Sequence, residues 1–272
     1  MTVLDDPGEF ERGPDFVQSL ARGLAVLRAF DGDHAAMSLA AIATRTGLSR
    51  AAVRRLVLTL RHLGYMRAAG RDFTVSPRVL ELGFGYLGSL NLTDLAQPLM
   101  EDLSRRVDES CSMAVLDGRS IVYVARVPVR KVMTVSLGVG ARLPAYCTSM
   151  GRVLLAGLTD AELDAWLEAC APVRQTEHTI LDRRELRREI EAVRARGHAY
   201  VEQELEIGLC SIAVPVRNRE GRVAAALNIG MRFDTDARRR AVEVLAPALR
   251  ETADLIERCT PPHWLPAVSG AE

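Results

Sequence analysis

The sequence is poor in cysteine, and its cysteines are poorly placed for a disulfide framework or a zinc site. The 272 residues include five cysteines, an odd number, and no two of them lie in a Cys-x-x-Cys pair. The five histidines are scattered without the spacing of metal ligands. We therefore expect no metal and no cofactor.

Long apolar runs are also missing, and the opening residues do not have the pattern of a signal peptide. No apolar run approaches the ~18–20 residues of a membrane span. The acidic opening Met1–Glu11 lacks the basic flank and apolar core of a signal peptide. With 48% hydrophobic and 26% charged residues, the chain has an ordinary globular composition, long enough for two modest domains. We expect a cytoplasmic protein that does not enter a membrane.

The motifs of common enzymes are absent too. The chain contains no Gly-x-Ser-x-Gly elbow, no His-Glu-x-x-His, no P-loop and no dinucleotide-binding Gly-x-Gly-x-x-Gly after a strand. Cys147 stands near Ser149, but the sequence signals no base that would activate either of them. We expect no catalytic residue and no enzymatic activity.

Lysine is almost absent: the chain has one lysine, Lys131, and 34 arginines. The net charge is zero, but the distribution of charge along the chain is informative. Residues 12–78 carry eleven arginines against four acidic residues, a charge of +7. Residues 1–11 contribute −4 and residues 79–272 contribute −3. A basic segment attached to a mildly acidic body indicates one part that meets a polyanion and one that does not.

The basic segment has the pattern of a winged helix-turn-helix. Apolar periodicity predicts a helix from Asp15 to Phe30, a second after the N-cap Ser38 that ends at Thr46-Gly47, and a third from the N-cap Ser49 to Leu63. Two short strands follow around Ala69-Gly70-Arg71, which predicts a hairpin. The third helix leaves a basic side free for the major groove of double-stranded DNA. The predicted DNA-binding residues are Ser38, Ser49, Arg50, Arg54, Arg55, Arg61 and Arg71.

The rest of the chain predicts an α+β domain with an antiparallel sheet. Pro77–Ser89 is predicted to be a linker helix whose apolar surface favours a second subunit. Hairpin-like strands are predicted at Cys111–Leu116, Ile121–Val127, Val132–Leu137, Ser211–Val216 and Val223–Ile229, with helices between and after them. Glu202, Glu204 and Glu206 alternate and are interpreted as a solvated edge.

The densest candidate for a binding site is the run Gly140–Ala156. Thr148, Ser149 and Gly151 open a predicted helix there, and the free N–H groups of its first turn suit a carboxylate. Arg142 is predicted to add a charged hydrogen bond and Tyr146 to contact an aromatic ligand.

These segments resemble the IclR family of bacterial transcriptional regulators. The resemblance is carried by Phe16–Phe30, by the Ser38–Leu63 helices, by Arg142–Ala156 and by Gly208–Val216, and it covers about Asp15 to Arg258. The motif at Arg142–Ala156, together with Pro77–Phe84, is most similar to the subgroup that governs protocatechuate and β-ketoadipate catabolism.

The resemblance implies a winged helix-turn-helix over residues 15–76, a linker helix over 77–91 and a GAF-like effector-binding domain over 92–259. An acidic N-terminus, 1–14, and a loose tail, 260–272, flank them. It further implies a homodimer or dimer of dimers, and a small organic acid of the protocatechuate or β-ketoadipate class as effector. The predicted effector-binding residues are Arg142, Tyr146, Thr148, Ser149, Met150, Gly151, Ser211 and Asn228.

The sequence therefore predicts a DNA-binding regulator of an aromatic-acid catabolic operon. Two alternatives stay open at this point. One is an enzyme for small molecules with an accessory DNA-binding domain. The other is a redox sensor that uses Cys147 or Cys210.

Overall fold

The computed structural model describes residues 16–82, 92–129 and 137–259. The chain divides into two compact units, Met1–Gly85 and Tyr86–Glu272. The division falls inside the predicted linker, residues 77–91. Of that linker, Pro77–Val79 forms a 3-10 turn that continues helically to residue 82, and residues 83–91 lie outside the described part.

The first unit is three helices followed by a hairpin. Its elements are α1 (Gln18–Arg28), α2 (Leu39–Thr46), α3 (Arg50–His62), β1 (Met66–Ala69) and β2 (Asp72–Val75). The two strands pair antiparallel, and Met37 adds a single bridge to Phe73. The apolar stripes of the three helices meet in one core around Val26, Ile42 and Val53.

The turn between α2 and α3 is fixed by its capping residues. The Ser38 hydroxyl accepts a hydrogen bond from the Ala41 N–H at 3.3 Å, and the Ser49 hydroxyl accepts one from the Ala52 N–H at 3.3 Å. Gly47 ends α2 in the left-handed conformation, with φ of +67°, which a residue without a Cβ adopts at no steric cost. The helix-turn-helix is therefore encoded locally.

The second unit is built on a six-stranded antiparallel sheet. Its strands are β3 (Ser110–Asp117), β4 (Ser120–Val127), β5 (Arg142–Pro144), β6 (Ala199–Glu202), β7 (Leu209–Arg217) and β8 (Val223–Arg232), in the spatial order β5-β4-β3-β8-β7-β6. Its helices are α4 (Leu92–Val107), α5 (Ser149–Ala156), α6 (Asp160–Ala169), α7 (Arg183–Arg196), α8 (Ala237–Arg240) and α9 (Ala246–Cys259), with the π-helical turn Ala241–Leu245 joining the last two.

Helices cover both faces of this sheet. The α4/α9 core contains Met100, Leu249 and Ile256 together with the strand residues that face them. The α5/α7 core on the other face contains Leu154 and Ile190 and is shared with α6. The unit is thus a three-layer α-β-α arrangement, which confirms the predicted α+β class.

Most predicted elements lie where the pattern placed them, to within a few residues. Two short strands, β5 and β6, were not predicted, because three or four residues carry too little periodicity. The single predicted closing helix is interrupted by the π-helical turn. The predicted strand Val132–Leu137 lies almost wholly in residues 130–136, which are outside the described part. The predicted N-terminal segment 1–14 and tail 260–272 are also outside it.

Candidate functional site

A cavity of about 590 Å³, part of it in an open mouth, lies on the α5 side of the sheet in the second unit. Its walls mix apolar and polar side chains. The apolar ones are Leu137, Leu143, Met150, Val201, Leu205 and Leu209. The polar ones are Ser110, Ser112, Tyr123, Arg126, Cys147, Thr148, Ser149, Glu204, Ser211 and Asn228. Such a lining is typical of a site for a small organic molecule.

A bulge in β4 determines which side chains of that strand face the cavity. The register between β3 and β4 shifts after Met113, which leaves Val124 as an extra residue. Val124 and Ala125 are consecutive, and both are buried in the α4/α9 core. The extra residue brings Tyr123 and Arg126 to the same face, where strict alternation would place them on opposite faces.

Arg126 is the one basic side chain among the described residues that line the cavity. It is half-buried, and no carboxylate of the described residues lies within ion-pair distance of it. Burial raises the pKa of Tyr123 to about 12, and the positive charge of Arg126 partly opposes that shift. At neutral pH the described part of the cavity therefore presents a guanidinium without a counter-ion beside a protonated phenol.

Next to Arg126, a row of polar side chains crosses the sheet. Ser112 on β3 lies directly opposite Arg126 on β4 and directly opposite Asn228 on β8. Asn228 is 7% exposed, and its Oδ1 has no hydrogen-bond partner among the described residues. A buried polar atom without a hydrogen-bond partner is rare in folded proteins, so this oxygen stands out among the described residues.

The N-terminus of α5 forms the wall above the sheet. The Thr148 hydroxyl caps the helix by accepting from the Gly151 N–H at 3.2 Å. The Ser149 and Ser211 hydroxyls lie 2.8 Å apart and hydrogen-bond to each other. The positive end of the helix dipole and two hydroxyl groups thus border the cavity, as the sequence indicated.

Glu204 follows β6 and borders the cavity from the other side. Its Oε2 pairs with Nη2 of Arg152 at 2.7 Å, and both side chains are buried. Burial raises the pKa of Glu204, and the Arg152 charge opposes the shift. The interpretation of Glu204 as part of a solvated edge is therefore wrong. Arg152 also donates from Nε to the Tyr146 carbonyl, so its guanidinium is engaged by protein groups.

The eight predicted effector-binding residues separate into two groups. Thr148, Ser149, Met150, Ser211 and Asn228 line the cavity. Arg142 does not, because its guanidinium pairs with Asp117 and with the Asp117 carbonyl. Tyr146 does not either, since its hydroxyl donates to the Val173 carbonyl at 2.6 Å.

Gly151 has a packing role below the cavity wall. A Cβ at this position would lie 2.1 Å from the carbonyl oxygen of Ala145, far inside van der Waals contact. The absence of a side chain therefore lets α5 pack against the segment that precedes it.

Cys147 and Cys210 are buried, and burial disfavours their thiolate forms. Burial raises the pKa of Cys147 to about 12, and the Glu204 charge adds to the shift. Burial likewise raises the pKa of Cys210 to about 11. Since the thiolate is the reactive form, neither thiol fits the pattern of a redox sensor.

In the first unit, the predicted DNA-binding residues share the surface of α3 and the hairpin. Ser49 caps the helix, Arg50, Arg54, Arg55 and Arg61 lie along it, and Arg71 stands at the hairpin tip; all of them are exposed. None of these arginines has an ion-pair partner among the described residues. Ser38 is half-buried and caps α2.

Sequence reasoning missed Arg126, Ser112 and Tyr123. The available signal was an arginine inside the otherwise apolar strand Ser120–Val127. The residues around it do not reveal the bulge, so the face of that arginine could not be assigned.

Among the helices of the described residues, none has the length and hydrophobicity of a membrane span. Within the same residues, no group of three or more His, Cys, Asp or Glu side chains is placed to hold a metal ion.

Comparison with known proteins gives matches to both units. A family model described as the IclR helix-turn-helix domain matches residues 19–69, and one described as the C-terminal part of the bacterial transcriptional regulator IclR matches residues 84–258. The Pca regulon regulatory protein of Pseudomonas putida is 43% identical over 89% of this chain and 85% of its own length.

Solved structures agree in fold. RHA06195 from Rhodococcus sp. RHA1 is 52% identical, covers 89% of this chain and 98% of its own, and superposes with a TM-score of 0.77. A homologue from Microbacterium hydrocarbonoxydans, crystallised with 4-hydroxybenzoate, is 29% identical, covers 88% of this chain and 98% of its own, and has a TM-score of 0.77.

Proposed function

The chain belongs to the IclR family of bacterial transcriptional regulators, and on that premise we propose that α3 binds operator DNA while an aromatic acid in the cavity of the second unit controls that binding. The operon that this protein regulates serves the catabolism of such acids.

One observation carries the proposed effector site: the guanidinium of Arg126 has no ion-pair partner among the described residues. A half-buried charge without a counter-ion is unfavourable, and a carboxylate that enters the cavity relieves it. The protonated Tyr123 hydroxyl beside it provides a further donor. Arg126 thus has the carboxylate-binding role that was predicted for Arg142.

The remaining walls favour a flat, largely apolar ligand body. Leu143, Met150 and Leu209 offer apolar contact of the kind that usually lines small-molecule sites. A relative with a similar fold was crystallised with 4-hydroxybenzoate, which combines a carboxylate, an aromatic ring and a hydroxyl group. We assign this chain an effector of the hydroxybenzoate or protocatechuate class, with β-ketoadipate as the open-chain alternative.

The DNA site is supported by the surface of α3. A major groove about 12 Å wide admits one helix, and residues near the helix N-terminus reach base edges. Arg50 and Arg54 occupy that position, whereas Arg61 at the helix end and Arg71 at the hairpin tip are placed for phosphates.

The two sites communicate through the oligomer. An acid changes DNA affinity only by the difference in its affinity for two arrangements of the subunits. A homodimer or a dimer of dimers provides such arrangements, and each DNA-binding unit then reads half of a site. The acid itself is returned unchanged, which distinguishes a regulator from an enzyme.

Fluorescence anisotropy with DNA from upstream of the gene tests this function, at two salt concentrations and with or without 4-hydroxybenzoate, protocatechuate or β-ketoadipate. We expect nanomolar, salt-sensitive binding that one of the acids changes by tenfold or more. Binding indifferent to every acid contradicts the effector assignment, and the absence of specific binding contradicts the regulator. Chromatography of the recovered acid checks that it is unchanged.

A further inference from the structure

The cavity carries opposite charges on two of its sides. Among the described residues that line it, Arg126 is the one basic side chain and Glu204 is the one acidic side chain. Arg126 lies on β4, and Glu204 belongs to the segment that follows β6. Three strands, β3, β8 and β7, separate β4 from β6 in the sheet. A ligand between the two side chains therefore meets a cation at one end and a carboxylate at the other.

Glu204 uses one of its two carboxylate oxygens within the chain. Its Oε2 accepts hydrogen bonds from Nη2 of Arg152 at 2.7 Å and from the Ile180 N–H at 3.4 Å. Its Oε1 has no hydrogen-bond partner among the described residues. That oxygen is accessible, because Oδ1 of Asn228 is the only fully buried side-chain oxygen or nitrogen without a partner in the described part of the chain. Since Glu204 lines the cavity, one accepting oxygen is left open in its wall.

The chain holds this carboxylate in place without a ligand. The Arg152 side chain, which is 2% exposed, fixes Oε2 from α5. The Thr179 hydroxyl donates to the Glu204 backbone carbonyl at 2.8 Å and fixes the segment behind it. Burial raises the pKa of Glu204, whereas the Arg152 charge opposes that shift and favours the ionised form. A ligand thus meets a preformed acceptor, which lowers the cost of ordering the site on binding.

An anionic oxygen with a free accepting position discriminates among ligand groups. A hydroxyl group donates to it in a charge-assisted hydrogen bond, which is stronger than one between neutral groups. A hydrogen substituent provides no donor, so the oxygen exchanges water for nothing. A second carboxylate only accepts and carries the same charge, so it is repelled.

We propose that Glu204 is a specificity-determining residue, which accepts a hydrogen bond from a ring hydroxyl of the effector and rejects acids with a second carboxylate. The inference rests on the function proposed above, because it assumes that an acid bound at Arg126 occupies the cavity. It decides between the two effector classes given there, in favour of hydroxybenzoate or protocatechuate and against β-ketoadipate, which is a dicarboxylate.

Isothermal titration calorimetry on the full chain tests the role of Glu204. The probes are 4-hydroxybenzoate, 3-hydroxybenzoate, protocatechuate, benzoate, terephthalate and adipate, the last two of which are dicarboxylates. For the unaltered protein, we expect the best hydroxylated acid to bind about 10- to 100-fold more tightly than benzoate, terephthalate or adipate, which is the effect of a hydrogen bond to a charged group.

The decisive variant is Glu204→Gln, which keeps the size of the side chain and removes its charge. Arg152 loses the carboxylate that pairs with it, so we expect the affinity ratio of the best hydroxylated acid to terephthalate to fall to within about threefold of one. Glu206→Gln is the matched control, because it removes the same charge two residues away, outside the cavity lining, and should leave the ratio unchanged. If Glu204→Gln does not fold, Arg152→Met/Glu204→Gln removes both charges of the buried pair, and the same fall in the ratio is expected.

The ratio separates selection by charge from general damage, since a distorted cavity weakens all the acids together, and thermal unfolding checks each variant. The role of Glu204 is overturned if benzoate, terephthalate or adipate binds the unaltered protein as tightly as the hydroxylated acids do. It is also overturned if the ratio is unchanged in the folded Glu204 variant, or if it falls equally in Glu206→Gln. These outcomes leave the acid site at Arg126 standing. If none of the six acids binds the unaltered protein, the proposed function falls and this inference falls with it.

Discussion

Helices α3 and α7 are both exposed and rich in arginine, yet their arginines have opposite surroundings. α3 contains four arginines and no acidic residue, and none of the four has an ion-pair partner among the described residues. α7 interleaves its six arginines with Glu185, Glu189 and Glu191. Three of them, Arg187, Arg194 and Arg196, are ion-paired.

The arginines of α7 hold helices together. Arg187 pairs with Asp164 on α6 and with Glu191 on its own helix. Arg194 donates to Asp160 at 2.7 Å and to the carbonyls of Ala156 and Leu158 at the ends of the α5–α6 connection. An arginine count alone therefore does not reveal a binding surface. On α3, unpaired arginines coincide with the absence of acidic residues, and this combination distinguishes it from α7, whose Arg183, Arg184 and Arg188 are also unpaired among the described residues but alternate with glutamates.

Pairing also separates the arginines around the cavity. Arg142 and Arg152 are paired with Asp117 and Glu204, whereas Arg126 has no ion-pair partner among the described residues. On this comparison we propose that α3 and Arg126 serve binding, while Arg142, Arg152 and Arg194 pair within the chain.

The largest effect expected of a single substitution concerns Arg126. In Arg126→Ala, we expect the dissociation constant for 4-hydroxybenzoate to rise about 10- to 100-fold, because the ligand loses a charge-assisted hydrogen bond. DNA affinity without acid stays unchanged. Calorimetry measures the first quantity and anisotropy the second.

Arg142→Ala is the matched control, since it removes a paired arginine outside the cavity lining. We expect its affinity for the acid to stay within about threefold of the unaltered protein, which is the effect of a surface ion pair at most. If Arg142→Ala weakens acid binding more than Arg126→Ala does, the presence or absence of an ion-pair partner does not identify the binding arginine.

A smaller effect is expected at the hairpin tip. In Arg71→Ala, we expect DNA binding to weaken about 5- to 10-fold near physiological salt, and the slope of log affinity against log salt to become shallower by about 0.9, the value of one phosphate contact. Arg188→Ala on α7 also removes an exposed arginine and should leave both the DNA affinity and the salt slope unchanged. Equal losses in the two variants would mean that net charge, and not position, drives binding.

The smallest effect is on stability. Arg194→Ala removes three hydrogen bonds between helices, and we expect a loss of about 1 kcal/mol in the free energy of unfolding, measured by denaturant titration. Arg54→Ala on α3 should change that free energy by less than about 0.5 kcal/mol. A larger loss there would show that α3 also uses its arginines structurally.

The sequence predicted what is encoded locally. The caps Ser38 and Ser49, the turn at Gly47 and the apolar stripe of α3 lie within a few residues of each other, so the helix-turn-helix and its basic surface followed from the pattern. The N-terminus of α5, with Thr148, was predicted for the same reason.

The rest depends on contacts between distant segments. The bulge at Val124 sets the face of Arg126 and arises from pairing between β3 and β4. Glu204 is buried because Arg152, 52 residues earlier, pairs with it. Arg142 was placed at the site because it precedes the α5 motif, and only the fold brings Asp117 to it.

The central claim is that two separate surfaces, each marked by arginines without partners, carry DNA binding and acid binding. One preparation of Arg50→Ala/Arg54→Ala, titrated both with the upstream DNA and with 4-hydroxybenzoate, tests it most directly. We predict that DNA affinity falls by roughly 100-fold while the dissociation constant for the acid in the absence of DNA stays the same. Loss of both affinities in a protein that still unfolds at its normal temperature would contradict the account.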